Sequence, residues 1–213
     1  VRTQLAQYNI AHLRRPLDHA ESASYVALLD EVNARAEASP GFVWRHGIDS
    51  RDSSTSVYDD PLTLVNMSVW ESPGHLRDYA YRGFHRDVFR RRLEWFDASG
   101  AVMWWIPEGS IPSLAEGVER LEFLRRHGPT PYGFETGQQF EQLVVCERDP
   151  DDAQVRAAVG DDRIDGPVHL ALVDGEPVGA ARATGSDVVT WIRPGDGRAW
   201  LAPALQVHAL VHR

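Results

Sequence analysis

The chain has 213 residues, 43% of them hydrophobic and 25% charged, with 22 basic against 31 acidic side chains and a formal net charge of −9. That balance suits one sizeable globular domain, or a small domain with an extension. An acidic chain whose densest basic run, Arg90-Arg91-Arg92, sits beside Asp87, Glu94 and Asp97 argues against nucleic acid as a partner, because phosphate binding needs concentrated positive charge.

In chain order, residues 3–11 alternate around Leu5, Ala6, Tyr8 and Ile10 and predict a first strand. Asp18 with Glu21 has the spacing of a capping box, and Tyr25, Leu28, Leu29 and Val32 follow as an apolar stripe of a helix that stops near Ser39-Pro40-Gly41. Phe42 to Ile48 reads as a second strand, Asp49 to Asp60 as a loop, and Leu62 to Trp70 as the most strand-like segment of the chain. Ser72-Pro73 is a helix start that carries to about Tyr81. Gly83 breaks it, and a further helix covers about His85 to Phe96. Ala101 to Ile106 is a short bulky strand ended by Pro107. Ser113 with Glu116 opens a helix that ends in Arg125-Arg126-His127-Gly128, a basic last turn followed by a glycine.

For residues 1–135 this order predicts an α+β fold, a ferredoxin-like antiparallel sheet with helices on one face. Met67, Trp104 and Trp105 are too large and apolar to leave in water on the other face. Pairing with a second copy, as a dimeric α/β barrel, is the expected solution. Residues 136–213 read as a β-rich C-terminal extension. Its strand candidates are Phe140–Cys146, Val168–Val173, Pro177–Ala183 and Val188–Ile192, with a hairpin turn at Asp174-Gly175-Glu176. Asp151 to Val159 is a short helix candidate, and Pro203 to Val211 is too short to type. Cys146, the one cysteine, reads as a small buried hydrophobe. With no internal disulfide to form, and neither a signal peptide nor an apolar run of about 18 residues, the chain is expected in the cytoplasm and off the membrane.

Several segments together resemble the DUF3291 domain family of uncharacterised bacterial proteins. They are Ala6-Gln7-Tyr8-Asn9-Ile10 through Asn33, Ser39-Pro40-Gly41-Phe42-Val43-Trp44, Asn66-Met67-Ser68-Val69-Trp70-Glu71, His85 through Phe96, Trp104-Trp105-Ile106-Pro107-Glu108-Gly109 and His127-Gly128-Pro129-Thr130-Pro131-Tyr132. The resemblance spans about residues 3–135. It implies a dimeric α/β barrel similar to the antibiotic-biosynthesis monooxygenase group, and little about chemistry.

The residues themselves mark candidates. Histidines titrate near neutrality and are the natural acid–base groups, which singles out His75 and His85. Asn66 on an apolar strand needs hydrogen-bond partners or a ligand, and either it or Arg92 is expected to stabilise an enolate. Tyr8, Trp44, Met67, Tyr79, Phe89 and Trp104 are the expected lining of an apolar pocket. His75 and His85 lie ten residues apart across a glycine, which is no ligand spacing, and no metal is expected. No cofactor is expected either, with haem on His85, beside Phe89, Trp104 and Arg92, as the alternative. There is no G-x-G-x-x-G after the first strand, no Walker sequence and no G-x-S-x-G elbow. By fold analogy the expected function is a cofactor-independent monooxygenase or cyclase of secondary metabolism, acting as a homodimer on a small hydrophobic or aromatic metabolite. A binding protein for a hydrophobic or haem-like ligand, and a structural or regulatory dimer, are the alternatives.

Overall fold

The computed structural model describes residues 2–46, 57–160, 164–193 and 198–212. Parts of the expected second strand and of the loop after it fall outside them. The chain divides into two compact units, Gln4–Met103 and Val1–Thr3 with Trp104–Arg213. Among the described residues no helix is long and apolar enough to cross a membrane.

In the N-terminal unit, β1 (Thr3–Leu13) and β3 (Thr63–Trp70) pair antiparallel from Leu5↔Trp70 to His12↔Thr63. β2 (Phe42–Arg45) adds to β3 antiparallel, and β4 (Phe96–Pro107) flanks β1, giving the order β2-β3-β1-β4. Side chains alternate along paired strands, so Ala6, Tyr8, Met67 and Val69 share one face, and all four are fully buried. A short 3-10 turn capped by His19 precedes α1 (Ala23–Glu37), which is half-exposed along its length. The α2 helix (Pro73–Tyr81) starts as its sequence predicts, with Ser72 Oγ accepting from the His75 N–H at 3.3 Å. The next helix, α3 (Gly83–Arg90), ends earlier than the spacing predicts, and β4 begins at Phe96. Trp95 explains the early stop. It is buried, donates its indole N–H to Ser24 Oγ at 2.9 Å and lies against Tyr25, which pulls the chain out of the helix.

In the C-terminal unit, α4 (Leu114–His127) opens with Ser113 Oγ accepting from the Glu116 N–H at 3.1 Å. The strands β5 (Leu143–Arg148), β6 (Val168–Val173), β7 (Glu176–Thr184) and β8 (Asp187–Ile192) follow as an antiparallel meander. Asp174 at φ 50° and Gly175 at φ 88° make the two-residue turn between β6 and β7, where a glycine takes positive φ without strain. β6 is buried at every residue because both of its faces are covered. Leu170 and Leu172 pack with Val155 and Val159 of α5 (Ala153–Val159). Ala171 and Val173 pack with Phe123 of α4 and with Leu201, Ala204, Leu205 and Ala209 of α6 (Leu201–Val211). The segment that was too short to type by sequence is thus a helix, and its 201/204/205/208/209 stripe is its buried face.

The expected fold, one ferredoxin-like sheet closed into a dimeric α/β barrel with a β-rich appendage, is corrected by these sheets. The fold is α+β with two separate four-stranded antiparallel sheets, and no closed barrel forms among the described residues. The premise for the barrel was exposed bulk. Met67 and Trp104 are fully buried within the chain and Trp105 is 9% exposed, so none of them needs a partner sheet to leave water.

Candidate functional site

His85 stands in the first turn of α3, and its Nδ1 lies 2.9 Å from the Ala80 carbonyl oxygen. A carbonyl only accepts, so the proton sits on Nδ1 and the lone pair on Nε2. Burial pushes the His85 pKa down, partly opposed by that hydrogen bond, and so keeps the ring neutral. Tyr79 lies 4.6 Å from the imidazole, centroid to centroid, and stacks on Trp70 at 5.2 Å. Its hydroxyl donates to the Val32 carbonyl at 3.1 Å, and burial raises its pKa. Behind Trp70 runs a row of polar groups. The indole N–H donates to Ser68 Oγ at 2.9 Å, Ser68 donates to Gln7 Oε1 at 2.9 Å, and Gln7 Nε2 donates to Asn9 Oδ1 at 2.7 Å.

The other expected residues are distributed. Tyr8 and Met67 are register partners in the core, with the Tyr8 hydroxyl 3.3 Å from that of Tyr58. Asn66 is exposed, opposite Asn9. Trp44 is half-buried, 6.0 Å from the His46 ring. His75 Nδ1 lies 3.2 Å from Ser72 Oγ and 3.6 Å from Glu71, and its ring fills the space beside Gly41. Arg92 lies over the exposed ring of Phe89 at 4.3 Å and donates to the Phe89 carbonyl. The structure therefore brings together Tyr79 with His85, Tyr8 with Met67, and Phe89 with Arg92. Trp104 belongs to the C-terminal unit.

That unit holds a second constellation. Glu119 on α4, His208 on α6 and His212 just beyond it each offer a ligand atom, all within 4.8 Å of one another. These are the residues that could hold a metal ion. The His208 and His212 rings stack at 4.3 Å, and His169 of β6 reaches within 5.1 Å of the His208 ring. Tyr132 Oη lies 3.1 Å from His208 Nδ1. Burial raises the Glu119 pKa, with the Arg120 charge and then the Tyr132 hydroxyl opposing it. Burial, with the charges of Arg120 and His212, drives His208 well below its ordinary value. Arg120 itself is committed elsewhere. It pairs with Glu116 at 2.9 Å, donates to the Tyr132 carbonyl at 2.8 Å and lies over the Tyr132 ring at 3.7 Å. A separate cavity of about 180 Å³ is lined by Thr3, Gln142, Val144, Leu172, Asp174 and Gly175, none of them an expected site residue.

The sequence reading missed this cluster. Its local signal was the four-residue spacing of His208 and His212, which sets both on one side of a helix. Nothing local links that pair to Glu119.

The protein NE2512 of unknown function from Nitrosomonas europaea is similar in structure over 53% of this chain and 97% of its own, at 10% identity and TM-score 0.39. SO0527 from Shewanella oneidensis is similar over 49% and 92%, at 7% identity and TM-score 0.39. SnoaB, a cofactor-independent oxygenase from Streptomyces nogalater, is similar over 52% and 96%, at 14% identity and TM-score 0.35. No curated protein matches the sequence. The profile of DUF3291, a domain of unknown function, matches residues 4–148, more than half of the sequence, and the chain belongs to that family.

Proposed function

We propose that the chain is an acid–base enzyme that needs no resident cofactor, with His85 taking a proton from an acidic carbon of a small aromatic or polyketide-like substrate. The observation that carries this reading is the state of the imidazole. Its Nδ1–H is held by the Ala80 carbonyl and burial keeps the ring neutral, which leaves Nε2 as the basic atom. Tyr79 lies beside it, backed by the buried Trp70, and its ring is the aromatic surface a flat apolar molecule would meet. The carbanion formed by proton loss then closes a ring or meets dioxygen. In the second case a methylene and O2 give a carbonyl and water, and the methylene supplies the electrons.

The test is a panel of hydroxylated aryl ketones incubated with the protein in D2O. Base catalysis appears as deuterium entering the acidic C–H position, and an oxygen electrode separates oxygenation from cyclisation. His85→Gln should slow the exchange by about 10²-fold while the fold survives. Exchange that proceeds at the same rate in this variant would remove His85 from the chemistry.

A further inference from the structure

We propose that Glu119, His208 and His212 bind a divalent first-row transition-metal ion of the zinc class, a site independent of the His85 chemistry. The three residues come from α4 and from the end of α6, with the histidines one helical turn apart, and their ligand atoms already lie within 4.8 Å of one another. The Glu119 side chain is 3% exposed, yet neither of its oxygens makes a well-aligned hydrogen bond, although the Tyr132 hydroxyl offsets part of the cost of burial. The Nε2 of His212 is likewise buried without one. A buried carboxylate left this way is costly, and packing alone would be served by an apolar side chain.

The neighbouring cation does not supply what is missing. Both terminal nitrogens of Arg120 are engaged, one by Glu116 and the other by the Tyr132 carbonyl. Glu116 thereby takes the direct contact with Arg120, and Glu119 feels that cation only through space, too weakly to offset its burial. A metal ion resolves the deficit and uses the imidazoles as well. Two imidazole nitrogens and one carboxylate oxygen are the donor set of zinc or iron(II), whereas magnesium and calcium prefer oxygen alone. Metal–ligand bonds of about 2.1 Å set tetrahedral donors about 3.4 Å apart. Glu119 Oε2 and His208 Nδ1 stand at 3.8 Å, a separation closed by a small side-chain adjustment. Three protein ligands leave a fourth position for water. His169, whose Nδ1 is buried without a partner, stands beside His208 to orient what binds there, and the ion would displace the Tyr132 hydroxyl that lies 3.1 Å from His208 Nδ1.

The full chain, stripped with a chelator and dialysed, is titrated with Co2+ by visible absorption, with Zn2+ as competitor. One ion per chain is expected. Glu119→Gln, which keeps the side chain's shape, and His212→Asn should each weaken binding by about 100-fold or more. His19→Gln, at the cap of the first 3-10 turn, should leave it unchanged. Circular dichroism shows whether each variant is folded. X-ray absorption on the wild-type zinc complex gives a reading that needs no variant, two imidazole nitrogens and one carboxylate in the first shell. Failure of the wild type to bind one ion, binding undiminished in the folded Glu119→Gln chain, or a shell without imidazole would each overturn the assignment.

Discussion

Replacing Arg120 by methionine tests the most heavily committed side chain of the C-terminal unit. The guanidinium is 1% exposed, and it holds Glu116, itself only 11% exposed, together with the Tyr132 carbonyl. Two hydrogen bonds from a charged donor are worth about 1.5–3 kcal/mol each. The desolvated contact with the Tyr132 ring adds about 2 kcal/mol. Methionine recovers part of that through the desolvation cost that the buried cation no longer bears, but Glu116 is left as an uncompensated, nearly buried charge. The net loss should be about 3–5 kcal/mol. Urea unfolding followed by tryptophan fluorescence reads it as a fall in midpoint at constant slope. Adding Glu116→Gln to Arg120→Met should restore at least about 1 kcal/mol, because the stranded charge is then gone. A single variant within about 0.5 kcal/mol of wild type, or a double variant less stable than the single, would refute the reasoning.

Two further predictions concern the N-terminal unit. Gly41 adopts φ +72°, and a Cβ there would collide with the His75 ring, so Gly41→Ala should cost about 2 kcal/mol. Adding His75→Ala should return the part due to the collision, and thermal melts in which the double variant gains nothing would show that the ring is not the obstacle. For His85 the sign follows from a folded pKa below the ordinary value of 6.5. Its contribution to stability is complete above about pH 6.5 and is lost as pH falls toward the folded pKa, at up to about 1.4 kcal/mol per pH unit. His169 and His208, also held low by burial, add parallel losses that cancel when wild type is compared with His85→Gln. The stability difference between the two should therefore move against wild type between pH 7 and pH 5 in urea titrations, and a difference independent of pH would mean that the ring is not held neutral.

Local chemistry was legible where it acts locally. Ser72 and Ser113 cap their helices on the backbone N–H three residues on, an arrangement written in adjacent residues. β3 and β6 to β8 follow their apolar runs, and the Asp174-Gly175 turn falls between β6 and β7. The end of α3 was not legible, because Trp95 is anchored by Ser24 and Tyr25, some seventy residues earlier. The barrel failed for a related reason. Size and polarity say that Met67 and Trp104 must be buried, but only tertiary structure says by what. The candidate site divides in the same way. His85 was legible as an acid–base residue type, but its neutral state rests on Ala80 and on burial, which no adjacent residue announces. His208 and His212 carry a visible spacing, whereas Glu119 lies 89 residues before His208 and joins them only when α4 meets α6.

The two sheets also differ in how far apart in the chain their partners lie, and that sets separate clocks for their assembly. In the C-terminal sheet every strand pairs with its successor, and β6 meets β7 through Val173↔Glu176 across a two-residue turn. In the N-terminal sheet β1 waits for β3, and Leu5 pairs with Trp70, 65 residues later. Loop closure grows costlier with span, by about 0.6 kcal/mol per doubling, and distant pairing slows folding more than it weakens the product. During synthesis β1 therefore precedes the partner strand it needs by some 65 residues. Until β3 arrives, the apolar edge of β1, with Leu5, Ala6 and Tyr8, is the part of the nascent chain most open to the wrong partner.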